Sequence, residues 1–292
     1  MKLIDLRAVG AAYRFVLENP APVLAASALY GVVFAVQSLM TAYAGAYAPG
    51  AAPAAIAFMA VAFGAFVIGW ASLGRLALGI PKKGFFGLTL GGDEGRLIWA
   101  LFLVVLLLVI ILMTAGVAMA FMIAGLAFTE MDPGAPQPDG YVNLFELMGP
   151  VALAVSFALI AVFAVFSLWL ITRLALTAPA TLQAGAIRVL SIWPASRGRS
   201  VEIALTGLAS LAPGILALIL LNAICVALLG AGPAIAQSAS GEAGALIVNP
   251  ALFLLASAIY GVAKIALLAA PLIAALCALF SVYKVEGDVS SD

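Results

Sequence analysis

The chain has 292 residues, of which 66% are hydrophobic and 9% charged, with a formal net charge of zero and a mean hydropathy of +1.23. Soluble domains carry roughly a quarter charged residues, so this composition excludes an ordinary soluble globular protein and identifies an integral membrane protein. The complete lack of histidine excludes HExxH zinc sites, haem held by His, and Ser-His or Cys-His nucleophile pairs.

Residues 1–20 place Leu3, Leu6, Val9, Tyr13, Val16 and Leu17 at helical spacing and leave Arg7, Arg14 and Glu18 side by side. This pattern predicts an amphipathic helix lying in the membrane interface. A membrane domain over 21–284 follows, with apolar spans at about 22–43, 54–73, 97–128, 147–172, 203–230 and 250–283. Each reaches the ~20 residues needed to cross ~30 Å of hydrocarbon, so the fold class expected is all-α with six transmembrane helices. Pro213 and Pro271 fall inside spans and predict kinks. The acidic residues 285–292 read as a disordered tail.

Lys2, Arg7 and Arg14 precede the first span. Arg75, Lys82, Lys83 and Arg96 lie between the second and third, and Arg173, Arg188, Arg197 and Arg199 between the fourth and fifth. Lys284 follows the sixth, while the connections 44–53, 129–146 and 231–249 contain no Lys or Arg. The positive-inside rule then puts both termini in the cytoplasm. Of the 13 basic residues, Lys264 is the exception.

The segment after the second span reads Arg75-Leu-Ala-Leu-Gly-Ile-Pro81, and that after the fourth reads Arg173-Leu-Ala-Leu-Thr-Ala-Pro179. Each follows a Trp, Trp70 or Trp169. Two crossings separate the copies, which predicts helical hairpins repeated in parallel. An arginine leaving a helix here is expected to reach lipid phosphate. Beyond Pro179, Leu182, Ala186, Val189, Leu190 and Trp193 share one helical arc, predicting a short helix in the membrane plane before the turn at 193–198. Arg75, Arg173, Arg188, Trp193, Arg197 and Arg199 are therefore the candidate headgroup-contacting residues.

With Arg173, Pro179, Ala180, Trp193, Ser196, Arg197 and Gly198 in this order, the chain resembles a polytopic bacterial membrane domain that occurs alone or fused to some glycerophosphodiester phosphodiesterases. It departs from that pattern at Ile192, where the family carries Ser, and at Pro194. The resemblance implies a six-helix domain with an amphipathic leader and a bacterial envelope setting. It implies no chemistry, because the phosphodiesterase activity resides in a separate soluble domain of which these residues contain no part.

Lys264 is the one ionisable residue within a span. It precedes Lys284 by 20 residues, roughly 30 Å of helix, which predicts a position near the outer boundary. Gln37 and Asn222 count to a similar depth, so the three form a candidate intramembrane polar cluster. Cys225 and Cys277 count to opposite ends of their spans and predict two free, buried thiols.

No catalytic, metal or cofactor motif occurs, and no cofactor is expected. The function expected is that of a non-catalytic accessory or structural protein of the bacterial inner membrane. Its partners would be anionic lipid headgroups, with a second copy or another envelope protein as a further partner, and no nucleic acid. A small-molecule or lipid transporter is the alternative, and a membrane-embedded enzyme the third.

Overall fold

The computed structural model describes residues 3–46, 52–81, 84, 88–89, 91–130, 145, 148–194, 196–229 and 250–289. Most of the connections 129–146 and 231–249, together with Lys2, Lys82, Lys83 and the last residues of the tail, lie outside the described residues, as does the side chain of Lys284. Among those described, the chain is all-helical: α1 (Leu6–Glu18), α2 (Pro20–Ala46), α3 (Ala52–Ala77), α4 (Gly92–Glu130), α5 (Pro150–Leu174), α6 (Thr177–Ala184), α7 (Ser200–Leu229), α8 (Pro250–Lys264) and α9 (Ala270–Val289). Six stretches are long and apolar enough to cross a membrane, namely Pro20–Ala42, Pro53–Ala77, Gly92–Thr129, Pro150–Ala184, Ser200–Ala227 and Ala251–Tyr283. The chain is thus a multi-pass membrane protein in length and composition.

Prolines open α2 and α5, where a missing N–H costs nothing. Asp5 caps α1 by accepting from the amides of Arg7 and Ala8. α1 divides its surface in two. Ala8 and Ala12 are buried, with Ala12 packed on Ala274 and Ala275 of α9, while Leu3, Leu6 and Leu17 remain exposed. Small residues let α1 lie close on α9, and Phe15 and Val16 pack partly against the same core, so only part of its large apolar surface faces outward. Tyr13 ties α1 to α7 by donating to the Ser210 carbonyl at 2.8 Å, and burial raises its phenol above the ordinary range.

The centre is formed by α2 and the α8–α9 span, whose most apolar stretches are 44% and 50% buried, against 17% and 11% for the spans of α4 and α5. α4 and α5 therefore form a peripheral hairpin. α2 and α8 cross closely. A Cβ on Gly31 would lie 2.7 Å from Val262 and 2.8 Å from the Ala258 carbonyl oxygen, and one on Gly261 would lie 2.9 Å from the Gly31 Cα.

The last span is interrupted by a π turn, Ile265–Ala269, between α8 and α9. Pro271 supplies no N–H to the Leu267 carbonyl four residues before it, so the predicted kink takes the form of a widened turn. That carbonyl points to α7, where only a residue without Cβ fits, and Gly214 occupies the place. On α7, Pro213 lies inside the helix.

Three expectations are corrected. The helix between the fourth and fifth spans is α6, which begins at Thr177 and stops at Gly185 in the left-handed conformation (φ 58°); residues 177–182 are all buried, so it is wedged into the bundle rather than laid on its surface. The repeat also diverges. After Arg75 the chain leaves its helix through Gly79 (φ 69°), with Ile80 N–H donating to the Arg75 carbonyl and Gly79 N–H to that of Leu76, a Schellman stop. Thr177 stands where Gly79 does and starts α6 instead. Finally, α9 continues to Val289, where a disordered tail was expected from 285.

Candidate functional site

Two places gather the polar residues singled out above. The first is the end of the bundle where α1 lies. Arg75 is 3% exposed and its Nη1 is 2.5 Å from Glu94 Oε1, with Thr89 Oγ1 accepting from Nη2 at 3.2 Å. Thr89 in turn donates to Glu94 at 2.7 Å, so the guanidinium of α3 holds the segment that begins α4. Arg173, 8% exposed, lies against the rings of Trp169 and Trp193, 5.3 Å from each centroid, the two indoles meeting edge to face. Its Nη1 donates to the Trp193 carbonyl at 2.9 Å and to Ser196 Oγ at 3.3 Å. The guanidinium of α5 thus holds the segment that leads to α7.

These two arginines turn into the protein, where each is buried and uses its Nη atoms on protein partners, although the buried Arg173 Nε makes no hydrogen bond. The repeated Arg-x-x-x-x-x-Pro is a clamp in both copies, and in both it fastens the segment leading into the next span. Trp193 belongs to the clamp, which accounts for the Trp-x-x-Ser spacing: three residues bring the indole face and the Ser196 hydroxyl to one guanidinium. Of the other candidates, Arg188 and Arg197 are exposed. Arg199 lies half-buried with its guanidinium 4.2 Å from the centre of the Tyr283 ring.

The second place is in the middle of the bundle. Lys264 Nζ lies 4.4 Å from the ring centre of Phe34 and 5.2 Å from that of Tyr260. These neighbours set the ammonium within the bundle. Phe34 is midway along α2. Ala274, ten residues after Lys264 (274 minus 264), already packs on α1, about 15 Å away at 1.5 Å per residue. A lysine at the centre of a spanning helix costs about 2.5–3.5 kcal/mol on insertion scales. Two desolvated rings offset part of this, each about 0.5–2 kcal/mol, but they accept no hydrogen bond from the three ammonium donors.

Beside Lys264 is a cleft of about 220 Å³ among α2, α3, α7 and the π turn. Tyr30, Phe66, Trp70, Leu211 and Leu268 are among the residues that line it. Gln37 and Asn222 are not. Gln37 is buried one turn along α2 from Phe34, and Asn222 follows Leu221, which packs with Leu218, Phe34 and Tyr260; Asn222 is itself engaged within the protein. The predicted polar cluster is therefore three residues around one aromatic group, of which Lys264 alone reaches the cleft. The Tyr30–Phe66–Trp70 aromatic ladder escaped the sequence reading. Its signal was the four-residue step from Phe66 to Trp70 on one face of α3. Cys225 and Cys277 are free and buried.

Fold and site together define a class, a multi-pass all-helical membrane protein with arginine-clamped loops at one end and a cation at mid-span. Compared with protein-family models, with curated proteins and with solved structures, the chain finds no match. The resemblance carried by residues 173–198 thus stands on those residues alone.

Proposed function

We propose that this is a non-catalytic accessory or structural protein of the bacterial inner membrane. Both termini face the cytoplasm, its hairpins repeat in parallel, and its basic end holds anionic lipid headgroups. The observation that carries the reading is the division of labour among the arginines after α5. Arg173 is consumed in fixing the loop, while Arg188 and Arg197 stand exposed on it, next to the exposed apolar side chains Ile187 and Leu190. A fixed loop bearing paired charge and apolar groups suits the boundary between headgroup and acyl chain.

Each basic residue at an anionic surface contributes about 1 kcal/mol. Replacing Arg188 and Arg197 by Gln is therefore expected to lower the phosphatidylglycerol that co-purifies with the protein, or its enrichment around the protein in mixed nanodiscs, roughly tenfold or more. Mass spectrometry of the retained lipid reads this directly. Equal enrichment around the variant, or turnover of a defined substrate by the reconstituted protein, would overturn the proposal. The cleft beside Lys264 favours a second reading, a transporter of small molecules or lipids.

A further inference from the structure

We infer that the cleft beside Lys264 is a binding site for a hydrophobic monocarboxylate, with the carboxylate on the lysine ammonium and the apolar body against the aromatic ladder of α2 and α3. The argument starts from charge. Lys264 lies midway along the last apolar span against the rings of Phe34 and Tyr260, and no carboxylate pairs with it among the described residues. The basic side chains that the bundle uses structurally are treated differently: Arg75 and Arg96 have carboxylates, and Arg173 has a carbonyl and a hydroxyl. Lys264 is left with rings on one side and an open cleft on the other, so an anion is the missing partner.

The walls define the rest of the ligand. Tyr30 and Trp70 line the cleft and find no hydrogen-bond partner for the phenol or the indole N–H among the described residues. With three ammonium donors added, the polar lining favours a ligand that accepts. Phe66, Leu211, Leu268 and Leu272 complete an apolar wall, which suits an aliphatic or aromatic body. Volume sets the size, since a cavity of about 150 Å³ takes a benzene ring. The 220 Å³ here holds a larger ring or a medium-length single chain, and it is too small for a two-chain lipid. Ion pairing with Lys264 makes the bound complex neutral where charge is least tolerated.

The cleft borders the π turn on one side and α7 on the other, where the Leu267 carbonyl meets Gly214. Any occupant therefore rests against the irregular part of the last span. Irregular backbone at membrane depth is tolerated where it is enclosed by protein or lines a cavity, and this turn satisfies that condition.

The test uses the full chain in phosphatidylcholine nanodiscs and follows indole fluorescence with ω-bromodecanoate, whose bromine quenches a neighbouring indole. Saturable quenching is expected, lost in Trp70→Phe, with affinity at least about tenfold weaker in Lys264→Met and retained in Lys264→Arg. ω-Bromodecanol, the neutral twin, should bind about tenfold more weakly than the acid. A bromonaphthoate run in parallel separates the sources. Tighter binding of the chain points to a membrane-derived fatty acid, and tighter binding of the ring to a soluble aromatic acid. Equal affinity of acid and alcohol, equal affinity of Lys264→Met and the parent, or no saturable quenching would overturn the inference. Should Lys264→Met fail to fold, Leu268→Trp fills the cleft without touching the charge, and undiminished bromodecanoate binding to that variant would be equally fatal.

Discussion

Arg75 and Glu94 are 3% and 2% exposed, and although Asp93 also lies 3.8 Å from Arg75, the buried Glu94 carboxylate depends on Arg75 for its charge. Removing one partner of such a pair costs about 3–5 kcal/mol, whereas replacing both by apolar residues of similar volume is often close to neutral. Arg75→Leu should therefore lower the unfolding midpoint in a denaturant titration sharply, and adding Glu94→Leu should restore most of the loss. A double variant no better than the single one would mean that the pair does not set the stability of this loop. Arg173 makes a different demand. The guanidinium packs against two indoles set edge to face while its Nη1 donates twice, and an ammonium does not reproduce both. Arg173→Lys is expected to cost about 1–3 kcal/mol despite keeping the charge. The arginines themselves were legible in the sequence, through a scarce Arg and Pro recurring at the same topological place. Their roles were not. Glu94 is 19 residues from Arg75 and Ser196 is 23 from Arg173, and no local periodicity joins groups across a folded loop.

At the scale of the helix, the spans were readable to within a few residues because hydrocarbon thickness sets their length and proline marks their starts. Their contacts were less readable. In a chain so rich in alanine and glycine, the small-residue row on α4 at Gly116, Ala120 and Ala124 looks like any other, and Ala120 is in fact exposed. The close crossing is made by Gly31 and Gly261, whose partners lie more than two hundred residues apart in the chain. Gly31→Ala forces the new methyl onto Val262 and the Ala258 carbonyl, and overpacking of this kind costs about 1–3 kcal/mol. Gly64→Ala and Gly125→Ala have nothing within 4 Å of the added carbon, and should be neutral or stabilising by up to about 1 kcal/mol. Thermal unfolding of the three variants side by side checks this. A Gly31→Ala protein as stable as the controls would show that α2 and α8 can separate freely. The helix after Arg173 was misread for a related reason: an arc of apolar residues over 182–193 looked amphipathic, but Gly185 stops the helix and Thr177–Leu182 fill a buried slot that only the tertiary arrangement creates.

For the whole molecule, charge distribution and depth have to agree. Arg7, Arg14, Arg75, Arg173, Arg188, Arg197 and Arg199 gather at the α1 end, and α4 ends at the other with Thr129 exposed. The proposed orientation makes the α1 end cytoplasmic, and cysteine labelling decides it. The native thiols are buried, so in the Cys225→Ala/Cys277→Ala background a cysteine at exposed Arg14 or Arg188 should resist a membrane-impermeant maleimide in intact cells and react once the membrane is opened. One at Thr129 should react in both. The reverse pattern would invert the protein and move its exposed arginines away from the anionic cytoplasmic leaflet. That outcome would remove the headgroup reading while leaving the cleft untouched, because Lys264 and its aromatic neighbours lie within the bundle whichever end is inside.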